Sequence, residues 1–138
     1  MNRTTVSTLA RCLAAAALAG PGLLQQAQAA TPAELLAGFS SQAGSAPSAA
    51  RGQQFFTTTH GKEWACATCH GAVPVQAGKH AATGKAIGAM APASNPDRFT
   101  DAAKVEKWFR RNCNDVAGRE CTPAEKADLL AWLMALKP

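Results

Sequence analysis

The sequence predicts an all-α domain of four to five helices, and three observations carry that prediction. Two TPAE tetrapeptides, at residues 31–34 and 122–125, each supply a threonine cap, a proline at the first helical position and a glutamate that closes a capping box. Two segments after residue 100 place apolar side chains at helical spacing. No stretch alternates apolar and polar residues for long enough to make a convincing strand.

Residues 1–29 read as a secretory signal that precedes the domain. Arg3 and Arg11 lead into an apolar run at 12–19, and Ala27 and Ala29 give the small-residue spacing of a cleavage site after Ala29. A membrane anchor needs roughly 20 apolar residues, and Gly20, Pro21, Gly22, Gln25 and Gln26 interrupt this run. Cys12 follows Arg11, where a lipoprotein cleavage site needs a small residue, so no lipid anchor is expected. The expected domain, residues 30–138, keeps 12 basic and 9 acidic side chains, a net charge of +3. Apart from Arg110 and Arg111 the basic residues are scattered, which argues against a nucleic-acid surface.

Thr31 caps a first helix that runs to about Gln42. Gly, Ser, Ala and Pro at 43–48 make a linker, and residues 49–58 form a second helix with Phe55 and Phe56 near its end. The stretch 60–95, broken by glycines and prolines and without sustained periodicity, reads as loop wrapped around a ligand. Thr100 or Asp101 caps a third helix with Val105, Trp108, Phe109 and then Asn112 or Cys113 on one face. A turn over 114–121 leads to the last helix, whose apolar stripe is Leu129, Leu130, Trp132, Leu133 and Leu136.

The chemistry is concentrated in Cys66-Ala67-Thr68-Cys69-His70. This is the C-x-x-C-H pattern, in which two thiols add to the vinyl groups of a haem and the adjacent imidazole reaches the iron from one side. Two intervening residues set the sulfurs at the separation of the vinyl groups. A zinc half-site would need a second ligand pair of similar spacing, and a thioredoxin-like pair would need a βαβ context; the chain offers neither. One haem c is therefore the expected cofactor, and its two propionates would bring the net charge near +1.

Setting aside Cys12, Cys66 and Cys69 leaves Cys113 and Cys121, which pair as a disulfide in an oxidising compartment; two buried free thiols are the alternative. The sixth iron ligand decides function, because a strong permanent ligand makes an electron carrier and a weak one leaves a site for small molecules. Met90 lies 20 residues after His70, near a proline, as a thioether ligand often does. His60 and His80 sit among Lys, Gly and Thr and read as exposed. Asn112 offers a neutral amide oxygen, or alternatively satisfies backbone carbonyls near a helix end.

The run NPDRFTDAAKVEKWFRRNCN at 95–114, followed by GRECTPAEKADLLAWL at 118–133, resembles the sphaeroides haem protein (SHP) family of high-spin monohaem cytochromes c. The resemblance takes in the TPAELLAGF segment, the Arg51-Gly52 helix and the Thr83-Gly84-Lys85 loop. It implies a class I-like cytochrome c fold, with Cys66 and Cys69 holding the haem, His70 as proximal ligand and Cys113 bridged to Cys121. It also implies that Asn112 binds ferric iron and leaves on reduction, so that oxygen or nitric oxide binds. A hard amide oxygen suits Fe(III) better than the softer Fe(II). The implied electron donors are a dihaem cytochrome c and a membrane cytochrome b, and the export signal read at residues 1–29 makes the periplasm the expected compartment.

The sequence thus favours redox-gated binding, or turnover, of a diatomic ligand. The rival is a plain electron shuttle with His70 and Met90 as permanent ligands, and a third reading is a gas sensor or store. No catalytic residue is assigned, since Asp115 and Glu120, near Asn112 in sequence, read as solvated.

Overall fold

The computed structural model describes residues 29–138, so the expected signal segment lies almost wholly outside the described residues. Five helices and one short hairpin follow in the order α1 (Pro32–Ala43), α2 (Ala49–Thr57), α3 (Cys66–His70), β1 (Gly78–Lys79), β2 (Ala86–Ile87), α4 (Ala102–Ala117) and α5 (Pro123–Ala135). Both TPAE boxes form. Thr31 Oγ1 accepts the Glu34 N–H at 3.2 Å while the Glu34 carboxylate accepts the Thr31 N–H at 2.8 Å, and Thr122 and Glu125 repeat the two bonds at 3.2 and 2.8 Å. Of the two caps open for α4, Asp101 is the one used, its carboxylate accepting the Lys104 N–H at 2.9 Å.

Three sequence expectations are corrected. The 60–95 stretch is not all loop, because its CATCH segment winds into α3. It also holds a strand pair, Gly78 opposite Ile87 and Lys79 opposite Ala86, which is too short to leave an alternating pattern. And α4 continues through Asn114 to Ala117, since Val116 prolongs the apolar face of Val105 and Cys113 and is buried with them. The turn begins instead at Gly118, whose φ of 69° ends the helix in the left-handed region.

Helix α5 is the axis of the core and is buried nearly all round. On one side Leu130 and Ala127 pack with Phe39 of α1 and Val105 of α4; on the other, Leu129, Trp132 and Leu133 pack with Phe56 of α2. Helices α2 and α5 approach so closely at Gly52 that a Cβ there would collide with the Asp128 backbone. Asp128 itself is a buried carboxylate inside an otherwise apolar stripe. It accepts the Ser48 N–H at 2.6 Å and two Arg51 N–H groups at 2.6 and 2.9 Å, so its charge is compensated and α2 is locked in register on α5. Cys113 and Cys121 are disulfide-bonded, with Cα atoms 5.5 Å apart, tying the last turns of α4 to the start of α5.

Candidate haem site

The local fold explains how CATCH is presented. Helix α3 starts where Thr68 Oγ1 accepts the Ala65 N–H at 3.1 Å, and the Gly71 N–H closes its end on the Ala67 carbonyl at 2.8 Å. The hairpin braces it: β1 passes so near that a Cβ on Gly78 would strike the Cys69 carbonyl, and the Ala81 N–H points at Cys69 Sγ, 3.3 Å away. The Phe56 ring lies 6.2 Å from the His70 ring and 4.9 Å from that of Trp132. Burial therefore fixes the imidazole by way of α2 and α5, the two helices that Asp128 and Arg51 clamp together.

Cys66, Cys69, His70, Met90 and Asn112 all line one cavity of about 560 Å³. Its apolar walls include Phe56, Phe99, Phe109, Leu129 and Leu133. The cavity is of cofactor size, and apolar walls with a few converging polar groups are what a flat macrocycle needs. Cys66 and Cys69 carry free thiols, and burial pushes the Cys66 thiol up to about 11. Burial, and then the neighbouring Arg98 charge, pull His70 below the usual imidazole range, which favours the neutral form that donates a lone pair to a metal. These residues fit a haem c: two free thiols, an imidazole that burial biases toward its neutral form beside them, and an apolar chamber.

The two leading candidates for the sixth ligand are differently held. Asn112 sits on α4 immediately before Cys113, half-buried. Its neighbour Asn114 donates to the Arg110 carbonyl at 2.7 Å, whereas the Asn112 amide makes no hydrogen bond among the described residues. Asn112 is also a full turn inside the extended α4, so the expectation that it satisfies carbonyls at the helix end is not needed. Met90 belongs to an irregular segment pinned by its backbone, the N–H groups of Met90 and Ala91 both donating to the buried Pro74 carbonyl at 2.9 and 3.1 Å. Its side chain packs against the cluster of Phe56, Leu129, Trp132 and Leu133.

The two remaining histidines separate. His60 is not at the cavity; it stacks on Phe55 at 4.0 Å and donates to the Phe55 carbonyl at 2.9 Å. His80 does line the cavity, with Nδ1 accepting the Thr83 N–H at 3.2 Å inside a tight turn. Both are half-buried rather than exposed, because an aromatic ring covers one and the 80–84 turn covers the other. Asp115 is exposed and borders the cavity, while Glu120 is exposed. Sequence reasoning missed Arg98, a half-buried guanidinium in the wall, whose signal was a lone arginine between Pro96 and an aromatic. Trp108, which its spacing places on one face with Val105 and Phe109, borders the cavity and stays 42% exposed.

Among the described residues no helix is long and apolar enough to cross a membrane. A family model described as "Domain of unknown function (DUF1924)" matches residues 42–133. The cytochrome c-type protein SHP of Cereibacter sphaeroides is 53% identical over 124 residues, which span 87% of this chain and 93% of that protein. Cytochrome c'' of Methylophilus methylotrophus is 47% identical over 93 residues, 64% of this chain and 65% of that one. The structure of oxidised SHP, described as an oxygen-binding cytochrome c, superposes with a TM-score of 0.74 at 53% identity and covers 78% of this chain and 99% of its own. The solution structure of cytochrome c'', described in terms of haem-ligand detachment, gives a TM-score of 0.70 at 36% identity, covering 78% and 94%.

Proposed function

The chain belongs to the family of the cytochrome c-type protein SHP, with an all-α cytochrome c fold and one covalent haem c, and on that premise we propose redox-gated binding of a diatomic ligand. In this reading Cys66 and Cys69 hold the ring through thioethers, His70 is the proximal ligand and Asn112 the displaceable distal one. When bound, the haem supplies an iron that changes oxidation state and accepts small neutral molecules such as oxygen or nitric oxide.

What the chain adds is a weak, hard donor on a firm mount. The carbonyl oxygen of Asn112 interacts with the higher ferric charge and less with the ferrous one, so its hold loosens when an electron arrives. The disulfide at the next residue fixes the backbone, leaving side-chain rotation as the motion by which the amide withdraws. The observation that carries this reading is the unpartnered Asn112 amide in the cavity wall, beside the Cys113–Cys121 bridge. Oxygen binding in SHP and haem-ligand detachment in cytochrome c'' support it by kinship.

The same reading places residues 1–29 as a cleaved export signal and residues 30–138 as the domain that acts in the periplasm. A dihaem cytochrome c and a membrane cytochrome b are the electron donors it calls for. Met90 sustains the rival electron-shuttle reading, because its thioether lines the same cavity.

Optical spectra of the holoprotein separate the two. A weak-field ferric spectrum without the methionine–iron charge-transfer band, altered by Asn112→Ala and unaltered by Met90→Leu, with immediate ferrous uptake of carbon monoxide, supports displaceable asparagine. Low-spin spectra in both oxidation states that ignore carbon monoxide and change only in Met90→Leu make the protein an electron shuttle.

A further inference from the structure

We infer that Arg98 grips a propionate carboxylate of the haem while the same guanidinium fixes the 88–90 segment that carries Met90. Arg98 lines the cavity and is half-buried. Its Nε donates to the Ala89 carbonyl at 2.9 Å and one terminal nitrogen donates to the Gly88 carbonyl at 2.8 Å; Asn95 Nδ2 donates to the same Ala89 oxygen at 3.1 Å. An arginine has five N–H donors, so three remain unused, and both partners are neutral carbonyls. The ion pairs among the described residues are Arg51 with Asp128, Arg119 with Glu125 and Lys126 with Glu106, and none involves Arg98.

A partly desolvated charge without a counter-ion is unfavourable, and here burial pulls the guanidinium below its ordinary range. The other cations at the cavity do not share this predicament. Lys104 and Arg111 are exposed, and Arg111 already lies over the Trp108 ring at 5.5 Å. Asp97 and Asp101 border the cavity too, yet both are exposed and neither pairs with Arg98.

The backbone beside Arg98 points the same way. Phe99 is a non-glycine residue with φ of 61°, a conformation that costs on the order of 1 kcal/mol or more. It persists because the Phe99 ring packs against both core clusters, so the core itself enforces the bend that follows Arg98. An enforced elbow, two donors spent on the Met90 segment and a free guanidinium edge in a haem-sized cavity together describe a carboxylate site. A planar fork matches a carboxylate, and the ligand that brings carboxylates into this cavity is the haem, through its propionates.

The inference rests on the haem c that the family carries and not on Asn112, so its test reads different signals from the carbon monoxide experiment. Purified holoprotein variants Arg98→Leu, Arg98→Lys and, as an exposed charge control away from the cavity, Lys107→Leu are compared with the parent by redox titration and by resonance Raman spectroscopy of the propionate bending bands. An unscreened propionate favours the more positive ferric iron, so Arg98→Leu lowers the midpoint potential and shifts one propionate band. Arg98→Lys, a point charge without the fork, retains more of the potential but still shifts the band, and Lys107→Leu changes neither. Parent-like potential and bands in Arg98→Leu overturn the inference. Should that variant not accumulate as holoprotein, Arg98→Lys decides, and an unshifted band there overturns it equally.

Discussion

Replacing both bridging cysteines, as Cys113→Ala with Cys121→Ala, tests whether the disulfide is a structural mount for the residue beside it. The bridge spans a sequence separation of 8. On the chain-entropy treatment a loop that short removes roughly 8 cal/mol/K from the unfolded ensemble, about 2.5 kcal/mol at 25 °C. A domain of about 110 residues unfolds with an entropy of roughly 0.23 kcal/mol/K, so the midpoint of thermal unfolding should fall by about 10 °C. Both cysteines are also buried, at 3% and 4% exposure, so loss of their sulfurs from the packed interior adds to the fall and does not oppose it. Thermal unfolding of ferric holoprotein, followed by far-ultraviolet circular dichroism, gives the number directly. A fall below about 3 °C would refute the reasoning, because it would mean that the ends of this loop stay close without the bond. The ferric spectrum of the same variant should change as well, since the backbone that presents Asn112 would lose its anchor.

Two further outcomes follow from named contacts. Glu125 is held below the usual carboxylate range, first by its hydrogen bonds from Arg119 at 2.6 and 2.8 Å and then by the Thr122 N–H. A lowered folded value means stability that is present above the unfolded value near 4.5 and is lost as pH falls through the folded one. Urea unfolding of the parent and Glu125→Gln should therefore differ by about 1 kcal/mol or less at neutral pH, a figure reduced because Arg119 is half exposed, and should converge in acid. Convergence on raising the pH would reverse the sign and reject the assignment. In Gly52→Ala, the new Cβ meets backbone of Asp128 that has no rotamer with which to yield, so stability should drop by about 1–3 kcal/mol or more despite the better helix propensity of alanine. A gain in stability would show that α2 and α5 can separate freely.

Much of the molecule was legible before folding because its signals are local. The capping boxes at Thr31 and Thr122 need only residues three apart, and the thiols and imidazole of 66–70 need only one helical turn, so spacing announced both the helices and the cofactor. Cys113 and Cys121 were readable by elimination for the same reason, being close in the chain. What eluded the pattern was whatever depends on partners far away. Nothing local marks Asp128 as buried, and it is Ser48 and Arg51, some 80 residues earlier, that make its burial tolerable. Nothing local separated His60, stacked on Phe55, from His80 at the cavity.

By itself, then, the sequence determined where α1, α2, α4 and α5 begin, the disulfide pair and the candidate attachment motif, since capping, periodicity and motif spacing act over a few residues of continuous chain. Only the tertiary structure decided which side chains share the cavity. It brought Asn112 and Met90 to the same walls as His70, left the Trp108 indole exposed at the cavity border, and turned Arg98 inward on the strained Phe99 elbow. The physical reason is that burial and charge compensation are summed over neighbours that only folding assembles.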